Sequence, residues 1–285
     1  MKLASYIVNG TNAFGVVVGE QVVTVNNHFG SRYPTLRSAL EAGVLDKIRT
    51  VVDNAMPDHQ ISDLFFLPVI PNPGKILCAG LNYRSHVAET GREMPSKPSM
   101  FSRFTDTLLG HEEPMVRSSV SEQFDYEGEL AVIIGRSGRH IPVERALDYV
   151  AGYTCFNDGS VRDFQKISVT AGKNFPSSAP LGPWMVTPEE LPDPSTLTLT
   201  TRLNGTEVQR STTDQLIYSV PTIISYVSDF TSLAPGDIIA TGTPEGVGHK
   251  RTPPLWLKNG DIVEVEISGI GTLRNRVEDE RAANS

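Results

Sequence analysis

The chain has 285 residues, 39% hydrophobic and 20% charged, an ordinary globular composition long enough for one large core or for a small domain beside a larger one. Its formal net charge of −8 excludes nucleic acid and anionic membrane surfaces as main partners, because both select basic patches. Cys78 and Cys155 are too few for a disulfide framework and sit in apolar stretches, so both are expected as buried free thiols in a reducing cytoplasm.

The opening residues, Met1-Lys2-Leu3-Ala4-Ser5-Tyr6, lack the apolar core of a signal peptide. The strongest apolar run, Leu64 to Ile70, is short and holds Pro68, so no membrane span is expected. Residues 1–71 alternate hydrophobic and polar with turns at Asn9-Gly10 and Asn26-Asn27. A helical stretch from Thr35 to Val52 and a strand at Leu64 to Leu67 follow, which predicts a small N-terminal α+β domain. The turn cluster Pro71-Asn72-Pro73-Gly74 separates it from Lys75 to Gly80, the first buried strand of a larger unit over residues 72–285. Many short strand-like runs, helical candidates at Val143 to Tyr149 and Pro221 to Phe230, and turns rich in Gly and Pro predict a mostly β (α+β) architecture with peripheral short helices.

The segment Asp125-Tyr126-Glu127-Gly128-Glu129, leading into the apolar run Leu130 to Ile134, carries the strongest chemical signal. Side chains on a strand alternate faces, so Glu127 and Glu129 point the same way about 7 Å apart, at roughly 3.3 Å rise per residue. Like charges so placed need a cation. Asp158 ends a second strand-like run that starts at Val150, just before Gly159 turns the chain, and is the candidate third ligand. Three carboxylates, with no Cys or His pair at zinc spacing, favour a hard ion: Mg²⁺ or Mn²⁺, with Ca²⁺ also compatible. Asp125 shares the parity of the glutamates and stands as an alternative to either.

Asp-Tyr-Glu-Gly-Glu-Leu-Ala at 125–131, Asn-Asp-Gly-Ser-Val-Arg-Asp-Phe-Gln at 157–165, Gly172-Lys173 before Pro180-Leu181-Gly182-Pro183, and the Thr241 to Gly248 run resemble the fumarylacetoacetate hydrolase family. The resemblance covers Lys75 to the C-terminal strands. It implies a mixed β-sandwich roll, a homodimer, and a metal held by Glu127, Glu129 and Asp158. It also implies cleavage of carbon–carbon bonds in β-dicarbonyl acids, with decarboxylases, hydratases and isomerases sharing the motifs.

From Gly80 to Gly91 the sequence predicts a short helix, capped by Asn82 and ended by Gly91, that puts His86 and Glu89 one turn apart on one face. The resemblance makes this pair the proton-transfer dyad on a mobile segment, and Lys173 a charge stabiliser beside the three carboxylates. Arg162 and Gln165 match positions near the metal, and Thr243 lies where glycines let backbone approach a ligand. Tyr83, Arg84, Lys97 and Arg103 are further candidate pocket residues, because a dianionic substrate needs cationic partners. After Lys173 many members carry Ser-Phe-Asp-Thr-Phe where this chain has Asn174-Phe175-Pro176-Ser177-Ser178, and Arg103 stands where a lysine is common. Both departures bear on pocket shape. The implied reaction is metal-dependent hydrolysis of an acylpyruvate, such as fumarylpyruvate or maleylpyruvate, in aromatic-compound catabolism. Oxaloacetate decarboxylation, and isomerisation or hydration of a 2-hydroxydienoate, are the alternatives within the family. From another class, a non-catalytic binding role is disfavoured by the retained His86, Glu89 and Lys173.

Overall fold

The computed structural model describes residues 1–281. A twelve-stranded mixed sheet has Ala179–Val186, Val150–Asn157, Gly128–Ile134, Ile238–Ala240, Ile76–Gly80 and Ser99–Arg103 as successive neighbours on its main path. A five-stranded sheet, Thr206–Thr212, Thr198–Leu203, Ile262–Ile267, Gly271–Asp279 and Met115–Arg117, packs on one face of its centre. Leu130, Val132 and Cys155 point into that face and meet Leu199, Val265 and Leu273 of the second sheet. Ala131, Ile133 and Phe156 point the other way, into a core shared with Leu3, Phe14 and Leu36. Burial on both faces explains why Leu130 to Ile134 reads as one apolar run rather than an alternation. Each such Leu, Ile or Val contributes about 1.5–3 kcal/mol by leaving water. The fold is therefore the strand-rich sandwich expected, with helices at its periphery.

Residues 1–71 hold a three-strand meander, two further two-residue strands and three short α-helices. Lys2–Val8 pairs antiparallel with Ala179–Val186, Lys2 opposite Val186, so these strands extend the main sheet. Their outer face has its own cluster of Ala4, Tyr6, Ala13, Val22 and Phe66. The helix expected from Thr35 to Val52 is two: Leu36–Glu41, whose N-terminus Thr35 and Ser38 cap reciprocally, and Leu45–Val52. Gly43, at φ +62°, supplies the left-handed residue that breaks the helix between them. Asn26-Asn27 opens a four-residue helix rather than a plain turn, and the strand near Leu64 shrinks to Phe65–Phe66, paired with Tyr6 and Ile7. Val143–Tyr149 is a 3₁₀ helix and Val220–Phe230 an α-helix, as the pattern predicts. Both cysteines are free and buried. Among the described residues no helix is long and apolar enough to cross a membrane.

His111 gives the fold a pH dependence. Its Nδ1 accepts the backbone N–H of Arg274 at 3.1 Å, which requires that nitrogen unprotonated, and burial holds its pKa below the usual histidine value. The folded state therefore binds fewer protons than the unfolded chain at this site. Stability should fall as pH drops below about 6.5, the unfolded histidine value. Thermal unfolding at pH 7.5 and 5.5 should show a smaller pH-dependent drop for His111→Gln than for the parent chain, and equal drops would remove His111 from the effect.

Candidate active site

The acidic residues meet where two antiparallel strands of the main sheet end side by side. Gly128 lies opposite Asn157 and Glu129 opposite Phe156. The Asn157 side chain accepts the Glu127 N–H at 2.9 Å, and the Glu127 carbonyl accepts the Asp158 N–H at 2.8 Å, which pins the two strand ends together. A Cβ on Gly128 would run into Thr201 Oγ1, and one on Gly159 into the Ser178 carbonyl, so close approach requires glycine beside each ligand position. Glu127, Glu129 and Asp158 are all buried, and one oxygen from each lies within 4.8 Å of the others.

Three buried cations brace this group. Lys173 Nζ donates to Glu127 Oε2 at 2.6 Å and to Asp158 Oδ2 at 2.5 Å, and lies 5.3 Å from the centre of the Phe101 ring. Arg162 reaches Glu127 Oε1 at 2.7 Å, and Arg103 donates to Asp158 Oδ1 at 2.5 Å. Burial pushes the Glu127 carboxyl up, but Lys173 and Arg162 outweigh it and hold that carboxyl well below the usual range. Glu129 moves the other way. Burial, then the charges of Asp158 and Glu127, push its carboxyl well above the usual value, and its hydrogen-bond donor is the Gly242 N–H at 2.8 Å. A buried carboxylate in that state is relieved by a nearby divalent cation, and an all-oxygen donor set suits Mg²⁺ or Mn²⁺. The residues present therefore fit a hard divalent ion. Asp125 lies outside the group: its carboxylate takes Arg162 at 2.8 Å and the N–H groups of Gly248 and His249 at 2.8 and 3.1 Å. It holds Arg162 against Glu127.

Helix Arg84–Thr90 carries the second constellation. Tyr83, not Asn82, occupies its N-cap, without a side-chain cap. The Asn82 amide instead donates to the carbonyls of Tyr218 and Thr241, at 2.9 and 2.8 Å, a long-range brace in place of a local cap. Gly91 ends the helix at φ +67°, as expected. His86 Nδ1 lies 3.1 Å from Glu89 Oε2, and Glu89 Oε1 accepts the Gly246 N–H at 2.9 Å. The dyad is thus tied to the Thr241 to Gly248 segment.

One cavity of about 240 Å³ joins the two constellations, lined by His86, Glu127, Glu129, Asp158, Lys173 and Thr243 among others. Arg162 and Gln165 also face it and are hydrogen-bonded to each other at 2.8 Å. Glu89 does not line it but contacts His86, which does. Tyr83, Arg84, Lys97 and Arg103 do not line it: Tyr83 and Arg103 are buried, Arg103 behind Asp158, whereas Arg84 and Lys97 are exposed. Arg92, Lys166, His249 and Lys250 do line it and were not singled out from the sequence. Lys166 directly follows one motif, and His249-Lys250 another, and that adjacency was the available signal. Gln209 was also missed; it accepts the Gly128 N–H at 3.0 Å and donates to Thr243 Oγ1 at 2.8 Å, so it braces both sides of the site from another sheet.

The family model described as fumarylacetoacetate (FAA) hydrolase C-terminal matches residues 75–278. Oxaloacetate tautomerase Fahd2a, mitochondrial, of Rattus norvegicus is 37% identical over 265 residues, 91% of this chain and 85% of that protein. Fumarylacetoacetate hydrolase from psychrophilic Exiguobacterium antarcticum superposes with a TM-score of 0.87 at 33% identity, covering 98% of this chain and 100% of that one. Maleylpyruvate hydrolase from Sphingobium sp. SYK-6, solved with manganese(II) and pyruvate, gives a TM-score of 0.84 at 27% identity, covering 99% and 100%. The motifs, the sandwich and these matches agree, and the chain belongs to the fumarylacetoacetate hydrolase family.

Proposed function

We propose that the protein is a divalent-metal-dependent enzyme that hydrolyses the C3–C4 bond of a 2,4-dioxo acid, an acylpyruvate such as fumarylpyruvate or maleylpyruvate, to pyruvate and a carboxylic acid. The observation that carries this is the single cavity shared by the acidic triad and His86, whose Nδ1 is paired with Glu89. A charge-stabilising centre beside a proton-transfer group is what C–C hydrolysis needs. The likeness to maleylpyruvate hydrolase over the whole chain supports the substrate class.

With Nδ1 committed to Glu89, His86 is left with Nε2 to take a proton from a water that attacks C4. The new O–C4 bond forms, the C3–C4 bond breaks, and its electron pair moves to the 2-oxo oxygen as the enolate of pyruvate. The proton held by His86 then passes to C3. Lys173 keeps a fixed positive charge beside the triad, near the end of the cavity where that enolate charge develops. A metal held by Glu127, Glu129 and Asp158 would supply Lewis-acid stabilisation of the enolate. At the cavity's outer part, Arg92, Lys166 and Lys250 favour a second, distal carboxylate on the substrate.

Oxaloacetate enol–keto tautomerisation is a second reading, favoured by the activity named for the rat relative. It would use the same proton transfer at C3 without an attacking water. Product analysis by NMR, on a panel of acylpyruvates and oxaloacetate with Mg²⁺ or Mn²⁺, separates the cases. Pyruvate plus the matching acid supports the hydrolase. Faster enol–keto conversion of oxaloacetate without pyruvate release, and silence on the acylpyruvates, would replace it with the tautomerase. Carbon dioxide plus pyruvate would indicate a decarboxylase.

A further inference from the structure

The charges around the triad are nearly balanced before any metal arrives. Asp125, Glu127, Glu129 and Asp158 face Arg103, Arg162 and Lys173, and every one of these groups is buried. Both oxygens of Glu127 already have a cation, Arg162 at 2.7 Å and Lys173 at 2.6 Å. So do both oxygens of Asp158, with Arg103 and Lys173 each at 2.5 Å. Asp125 is paired with Arg162 at 2.7 Å. Among the described residues, only Glu129 of these four carboxyls lacks a cationic partner, and in the ionised form that would bind a metal it gives the cluster one net negative charge. A divalent ion added alone turns that into a net positive charge, buried against three fixed cations, where a low dielectric makes the repulsion costly. A chelating acid that enters with it offsets that positive charge and, unlike a lone carboxylate, holds the ion through two adjacent oxygens.

We propose that Arg103, Arg162 and Lys173 make metal binding depend on the substrate's anionic end: the ion binds weakly alone and tightly together with a chelating 2-oxo acid. The inference rests on the metal reading above, and it makes metal and acid a coupled pair rather than a resident ion with an independent substrate. Coupling between two ligands is reciprocal, so each tightens the other by the same factor. Arg103 matters most here, because it does not line the cavity and contributes charge from behind Asp158. It is a positioning residue that sets the affinity of both ligands.

The test uses the full chain, Mn²⁺ and oxalate, a non-reacting dianion that chelates through adjacent oxygens. Free Mn²⁺ is followed by electron paramagnetic resonance, with Mn²⁺–oxalate complexation in solution accounted for. The Mn²⁺ dissociation constant should fall at least tenfold in saturating oxalate, and hardly at all in acetate. In Arg103→Gln, Mn²⁺ alone should bind more tightly and the oxalate effect should shrink, whereas Arg103→Lys should restore both. Circular dichroism checks that each variant is folded, and if Arg103→Gln does not fold, the oxalate and acetate titrations of the parent chain decide. Equal Mn²⁺ affinity with and without oxalate would overturn the coupling and leave the metal reading intact. No Mn²⁺ binding under any condition would overturn both.

Discussion

Glu129→Gln should lower metal-supported turnover by at least about 10³-fold, the upper scale for losing one preorganised electrostatic stabiliser, while leaving the folded chain no less stable. Glu129 is the cleanest probe of the triad because of how it is held. Among the described residues its oxygens have no cationic partner, and burial together with Asp158 and Glu127 already disfavours its charge. Removing that charge relieves a cost, and a glutamine oxygen still accepts the Gly242 N–H. Glu127→Gln is a poorer test: it leaves Lys173 and Arg162 buried with a lost partner, a change that costs about 3–5 kcal/mol in comparable pairs and mixes unfolding with inactivation. The measurements are kcat with saturating Mn²⁺ and the Tm of the metal-free variant. Activity within tenfold of the parent chain would remove Glu129 from the centre, and a marked fall in Tm would make its role structural.

His86→Ala should lower kcat by about 10²–10⁴-fold, the usual scale for a positioned acid–base group, with Mn²⁺ binding unchanged. The imidazole lines the cavity but makes no hydrogen bond to the carboxylates of the triad among the described residues. Its loss should therefore act on proton transfer and not on the metal. Glu89→Gln should give a smaller loss, because an amide oxygen at that position can still accept from His86 Nδ1 but brings no charge to stabilise the imidazolium. Steady-state kinetics with each variant checks the order. A wild-type rate for His86→Ala would take His86 out of the proposed chemistry.

The triad was legible in the sequence because its residues sit at two strand ends, a local property: Glu129 lies inside Gly128–Ile134, Glu127 directly precedes that strand, and Asp158 directly follows Val150–Asn157. Asp125 shows the limit of strand alternation. Strand pairing is interrupted between Asp125, which faces Ser160, and Gly128, which faces Asn157, so period-two parity does not carry across Tyr126 and Glu127. The carboxylate at 125 turns to Arg162 and the His249 loop instead. The His86–Glu89 pair was equally local, one helical turn. The Asn82 cap failed because two backbone carbonyls more than 100 residues away compete for its amide. Arg103 and Gln209 belong to the same class: each acts across a separation, 55 residues to Asp158 and 81 to Gly128, that only the folded sheets create. The cavity's outer cations, Arg92, Lys166 and Lys250, carry no pattern of their own and gain meaning from where the chain places them.

The proposed hydrolysis is tested most directly by running the reaction in ¹⁸O-labelled water with an acylpyruvate and Mn²⁺, then weighing the released acid by mass spectrometry. C–C hydrolysis predicts one labelled oxygen in the new carboxylate of that acid, and neither acid nor label once a chelator has removed the metal. Conversion of substrate between enol and keto forms with no acid released would contradict it.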